Sequence, residues 1–419
     1  MEQVFITGLG VACPIGLGLE EVWAAIERGE SGIRELKALG AAGWPAPLGG
    51  MIPDAEFDPK EWIQPRKSLK VMAREIQLAY ASGEMAWTAA GMDEAAVDPD
   101  RVGVVLGSGL MYCPPEELAP PYSACMAKGK FQYDLWGPVG MRELYPLWML
   151  KYLPNMSACH IGIRRDARGA TNVIAHGDAS SLLALQEGAG VITRGAADVM
   201  LVGASSSRLN MLDPLWRESA AAWRAGLPPA EACRPFDASR GGAVCGEGAA
   251  VIVLEGESHA ERRGAARLAR IAAIACRNEA STATRTPTGK AIELAIQAAM
   301  ELADLSPDDL AFVSAHAAGS RVLDAVEARA IHNTLGRVPV TALKSYFGNC
   351  GAASGAVELS IAVQALLHGQ APPTLNYSQP DPDCPVNVVA ETAPLSKRAA
   401  LVLNYNAVGQ AVAAVVTAA

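Results

Sequence analysis

Short β-branched runs alternate with alanine-rich stretches along most of the chain. Val102–Gly107, Val199–Gly203 and Ala249–Leu254 have the Val/Ile density of buried strands. Ser180–Thr193 and Gly289–Leu302 space their apolar residues as helices do. The alternation resumes after a charged break at Glu255–Arg263. It predicts strands at Leu310–Ser314 and Ala400–Leu403, and helices at Val322–Leu335 and Ala353–His368. An α/β fold with mainly parallel sheet follows. Its two similar halves are expected over residues 1–255 and 256–419. Residues 112–154, rich in Pro, Trp and Tyr, break the rhythm and read as an inserted cap or interface segment. The apolar tail from Ala411 is too short for a membrane span, and its valines predict a last buried strand.

Composition narrows the function classes. The chain has 419 residues, half of them hydrophobic, so a large core is available. The net charge is -9 with no Lys/Arg-dense block, which argues against a nucleic-acid partner. The nine cysteines are scattered without a CxxC pair. A disulfide framework or metal site is not expected, and a reducing cytoplasm is. The chain opens directly on the strand-like run Val4–Gly8, with no signal-peptide pattern.

The chemistry lies in a series of motifs. Ile6-Thr7-Gly8-Leu9-Gly10-Val11 is followed by Pro14-Ile15-Gly16. Arg234-Pro235-Phe236-Asp237 and Arg240 precede Gly246-Glu247-Gly248-Ala249. Then come His316 with Asp324 and Glu327, Lys344-Ser345 with Gly348, and Gly355-Ala356-Val357-Glu358. Pro372-Pro373-Thr374-Leu375-Asn376 and Asn404 end the series. Together, and in this order, they resemble the β-ketoacyl synthase family, the condensing enzymes of fatty-acid and polyketide assembly. The resemblance implies a thiolase-like fold, two similar α/β halves in a five-layer αβαβα arrangement, and a dimer. It implies no cofactor bound by the protein itself. The expected ligand is an acyl thioester on the phosphopantetheine arm of an acyl carrier protein.

The resemblance also locates departures. In His176-Gly177-Asp178-Ala179-Ser180-Ser181, Asp178 falls where the family has its nucleophilic cysteine. That slot opens a helix, where orphan N–H groups and the helix dipole favour an anion. Asp178 would fit it as an N-cap. A carboxylate is a poor acyl acceptor, since it would form a labile mixed anhydride. Asn349 stands where this branch has a second histidine, and can still donate to a thioester oxygen. Asp178, His316 and Asn349 form the expected constellation, with Lys344, Glu327 and Ser180 in support. An ionised Asp178 near His316 would favour the imidazolium form. The expected pocket or gating loop is Asn404, Asn406, Val408 and Gly409, where the family's gating aromatic is missing. Cys350 and Cys113 read as packing residues.

These departures lead to a condensation-deficient protein, acting as a chain-length-factor-like partner of an active synthase in fatty-acid or polyketide biosynthesis. One alternative is a divergent carrier-dependent enzyme running acid–base or acyl-transfer chemistry through Asp178 and His316. Another is a non-catalytic acyl-carrier or acyl-chain binding module. The basic segment Arg164-Arg165-Asp166-Ala167-Arg168, with Lys128 and Lys130, reads as a solvated loop or a carrier-docking site.

Overall fold

The computed structural model describes residues 2–37, 47–93, 97–210, 227–280 and 287–419. In the first half, strands β1 (Val4–Cys13), β2 (Val102–Ser108), β3 (Thr171–Ile174), β4 (Val199–Ser207) and β5 (Glu247–Gly256) lie in the order β1-β5-β4-β2-β3. In the second, β6 (Ala269–Asn278), β7 (Leu310–Ser314), β8 (Pro339–Thr341), β9 (Ala399–Tyr405) and β10 (Gln410–Ala418) repeat it as β6-β10-β9-β7-β8. A short antiparallel pairing of β1 with β6, Phe5 opposite Arg270, joins the two.

Each half corrects the expectation of a mainly parallel sheet. The β1-β5-β4 and β6-β10-β9 neighbours run antiparallel, while β4-β2-β3 and β9-β7-β8 run parallel. The cause is local for β9 and β10. Only four residues separate Tyr405 from Gln410, too few for a crossover, so the strands close as a hairpin.

Among the described residues, the main layer helices are α1 (Arg74–Ala89), α2 (Met156–Arg165), α3 (Ser180–Thr193), α4 (Lys290–Ala303), α5 (Arg321–Leu335) and α6 (Ser354–His368). α1 and α2 cover one outer face, and α4 and α5 the other. α3 and α6 pack on each other and on strands of both halves, forming the middle layer. That burial explains their composition. α6 is apolar almost all round, with Val357, Leu359, Ile361 and Val363 inaccessible to solvent. Each such side chain contributes about 1.5–3 kcal/mol on burial. Gly355 lets the first turn of α6 meet β9, because a Cβ there would lie 2.3 Å from Asn404 Oδ1.

Residues 112–154 form a run of short helices and turns carrying an aromatic cluster of Tyr122, Phe131, Tyr133 and Trp136. No described helix is long and apolar enough to cross a membrane.

Candidate functional site

The site assembles where α3 and α6 begin, between the ends of the two sheets. β3 leads through the Gly177 turn into a short 3-10 segment, Gly177–Ala179, and then into α3. Asp178 sits in that segment, 5 % exposed. It does not take the expected N-cap role. Ala179 holds the cap position with no side-chain capping bond. Ser180 closes the turn instead, accepting from His176 N at 2.8 Å and donating to Gly177 O at 2.7 Å.

The Asp178 carboxylate is bound by Arg208, whose Nη2 donates to Oδ1. Arg208 directly follows β4 and is also buried, at 4 % exposure. Two charges withdrawn from water persist only when paired. Arg208 has no place in the sequence motifs. The available signal was a charge directly after a buried strand, which demands a partner.

His316 lies in the loop between β7 and α5. Glu327 accepts from His316 N at 2.7 Å and Ala317 N at 2.8 Å. Asp324 accepts from Ala318 N at 3.2 Å and Gly319 N at 3.1 Å, and Arg240 stands 3.9 Å from it. The two carboxylates fix the loop backbone, and the His316 ring lies 4.6 Å from that of Tyr405. Lys344, with no exposed surface, donates to His316 O and to Glu358, and sits 3.2 Å from His316 Nδ1. Lys344 therefore stands at the Nδ1 side of the His316 ring, while Arg208 pairs with Asp178.

Asn404 is not part of a gating loop. It lies in β9 without solvent exposure and donates to Glu358 Oε2 at 2.8 Å. Asn406 does reach the site, donating to His176 O at 3.1 Å and so tying the β9-β10 turn to the Asp178 segment. Its Oδ1 accepts from Val408 N and Gln410 N. Val408 is half exposed, and Gly409 closes the turn at a φ of 87°. The Asn349 Oδ1 accepts from Gly351 N at 2.9 Å and Ser354 Oγ at 3.2 Å, leaving its NH2 as the remaining donor. Cys350 Sγ donates to Glu247 O, and burial holds its thiol well above the ordinary range. The Gly351 turn that Asn349 holds thus lies beside the Arg208 guanidinium that pairs with Asp178. His316 connects through Lys344 to Glu358, which feels the Asp178 charge.

Burial pushes the Glu327 carboxyl up to about 8, helped by the charge of Asp324. Burial likewise raises Glu358 to about 7 against the pull of Lys344, with the Asp178 charge adding to the rise. The native protein thus keeps protons that the unfolded chain, with carboxyls near 4.5, releases. Their stabilisation is full below that value and is lost as pH rises through 7 to 8. Calorimetry should show Tm falling across this window. A Tm flat from pH 5 to pH 9 would contradict the assignment.

The expected basic segment is largely neutralised. Arg165 pairs with Glu84 at 2.7 Å and stacks on Trp87, Arg164 shares Glu84, and Arg168 pairs with Asp166 at 2.6 Å. Lys128 and Lys130 remain exposed. A different basic stretch, missed in the sequence, lies at residues 60–70. Lys60, Arg66, Lys67 and Lys70 are exposed there and pair with no carboxylate among the described residues. Leu69 and Ile63 anchor this stretch on Met72 and Tyr152. Met72 and Tyr152 also line a pocket of about 400 Å³, together with Arg74, Tyr112, Asn210 and Glu247.

Comparison with known proteins agrees with this architecture. Residues 1–260 match the N-terminal domain of the β-ketoacyl synthase family, and residues 268–378 its C-terminal domain. The tetracenomycin polyketide synthase ketoacyl synthase alpha subunit of Streptomyces glaucescens is 33% identical over 94% of this chain and 91% of its own. The ishigamide ketosynthase/chain length factor shares the fold at a TM-score of 0.86 and 24% identity, covering 100% of this chain and 99% of that one. A type II polyketide synthase acyl-carrier protein in complex with its ketosynthase, bound to the hexaketide, gives a TM-score of 0.81 and 26% identity, covering 100% and 99%. The chain belongs to the β-ketoacyl synthase family, with the thiolase-like fold of two similar α/β halves.

Proposed function

We propose that this protein is a condensation-deficient member of its family, working as a chain-length-factor-like partner of an active β-ketoacyl synthase on carrier-bound acyl chains. The observation that carries the reading is the buried Asp178–Arg208 ion pair. In the slot assigned to the nucleophile stands a carboxylate already neutralised by a guanidinium. It offers neither a durable acyl acceptor nor an N–H donor for an oxyanion. The Asp178/His316 acid–base alternative is less favoured, because each group is bonded to its own cation.

The surface supports a partner. Half of the exposed large hydrophobic side chains among the described residues lie in 112–154, including Tyr133, Met141, Leu147 and Met149. Such a concentration suits a protein interface more than a solvated cap. The exposed cations at 60–70, beside the pocket, suit an acidic carrier protein. The ligand on this reading is the carrier's phosphopantetheine-linked acyl thioester, and the setting is the cytoplasm.

Co-expression with an intact synthase, followed by mass spectrometry with acylated carrier, tests it. A stable complex is expected, with carrier bound and no acyl group on this chain. An acyl adduct on this chain, or a self-dimer indifferent to every synthase offered, defeats the reading. The double charge reversal Lys67→Glu/Lys70→Glu should weaken carrier binding roughly tenfold at low salt, with less effect at high salt. Equal affinities by calorimetry would place the carrier elsewhere.

A further inference from the structure

Arg208 belongs to none of the motifs that carry the resemblance, yet its side chain meets the residue in the nucleophile slot. We propose that Arg208 is a positioning residue that holds the anion at position 178, serving as the slot's standing counter-charge. It binds a carboxylate here and would bind a thiolate if cysteine were supplied. The inference rests on the reading above. It locates the loss of acyl transfer in Asp178 alone and leaves the electrostatics of the slot intact.

Three features fix the guanidinium. Arg208 N donates to Gly246 O at 3.0 Å, which anchors its backbone to the chain entering β5. Gly351 makes room beside it: its φ is 61°, and a Cβ there would lie 2.8 Å from Arg208 Nε and 3.0 Å from Ser206 Oγ. Asn349 Oδ1 in turn accepts from Gly351 N and holds that turn in place. The cation therefore sits in a backbone-defined recess at the N-terminal end of α3, and both features favour an anion at 178. A thiol in such a field loses its proton more readily.

Acyl uptake would then need one substitution. In Asp178→Cys the thiolate sulfur attacks the carbonyl carbon of an acyl-pantetheine thioester. The bond from that carbon to the pantetheine sulfur breaks. Pantetheine leaves as its thiolate with the electron pair and takes a proton from solvent, and the acyl group remains as a thioester on the protein.

The test compares Asp178→Cys with Asp178→Cys combined with Arg208→Gln, Arg208→Met or Arg208→Lys. Iodoacetamide alkylation at position 178 is followed by peptide mass spectrometry against pH. Cys13 and Cys350 are buried, and their lack of modification reports a folded chain in every sample. With Arg208 present the reactivity midpoint should fall at least about one pH unit below that of the Gln and Met variants, hence roughly tenfold faster alkylation at neutral pH. Lysine should restore part of the shift, and Asp178→Cys should gain mass on incubation with acetyl-pantetheine. Coincident pH profiles in every folded variant overturn the proposal, as does a position 178 that no reagent reaches in any of them. Neither result bears on synthase or carrier binding by the unsubstituted chain, so the two readings fail separately.

Discussion

Replacing Arg208 with alanine is expected to lower the unfolding free energy by roughly 3–5 kcal/mol, because it removes the guanidinium that pairs with the buried Asp178 carboxylate. The figure follows from burial. An exposed ion pair contributes at most about 1 kcal/mol, but each side chain here is under a tenth exposed. Losing one partner then imposes the desolvation penalty of the other. The double variant Asp178→Asn/Arg208→Met removes both charges, keeps similar volumes, and should recover most of the loss. Urea titration of the single and double variants gives the coupling directly. A loss below about 1 kcal/mol for Arg208→Ala would mean that water screens the pair in solution.

Much of the scaffold is legible in the sequence for a simple reason. Where an element buries at least one face, its apolar spacing fixes its position in the sequence. Ser180–Thr193 and Leu310–Ser314 have the bounds the pattern predicts. Three other helices begin and end within one residue of expectation. Strand direction is less visible, because a run of valines reads the same both ways. The antiparallel pairing of β9 and β10 depends on the length of the 406–409 turn, not on strand content.

The site is legible where the motif itself holds the geometry. Asp324 and Glu327 lie on one face of α5 and bind the loop that carries His316. The sequence hides contacts between distant segments. Asp178 and Arg208 lie 30 residues apart and meet only because β4 ends beside the start of α3. Residues 164–168 show the same limit. Their arginines look available in the sequence, but Arg164 and Arg165 share Glu84 on α1, and Arg168 pairs with the nearby Asp166. Asn404 reads in the sequence as part of the expected 404–409 loop because it directly precedes that turn. Its alternation within β9 instead turns it inward to Glu358.

The second large effect concerns Lys344. In Lys344→Met, Glu358 loses the ammonium that offsets its burial, and the His316 carbonyl loses its donor. Lys344 and Glu358 are both inaccessible to solvent, so a loss of roughly 3–5 kcal/mol is expected. Glu358 would keep its bond from Asn404 while still facing the charge of Asp178. Its carboxyl would therefore retain its proton to higher pH, and the variant should lose stability more steeply than the parent as pH rises. The double variant Lys344→Met/Glu358→Gln separates the two contributions. It removes the buried charges but leaves the His316 carbonyl without its donor, so it should recover only part of the loss. Full recovery would mean that the tie from Lys344 to the His316 loop contributes nothing, and that the loop is held by Asp324 and Glu327 alone.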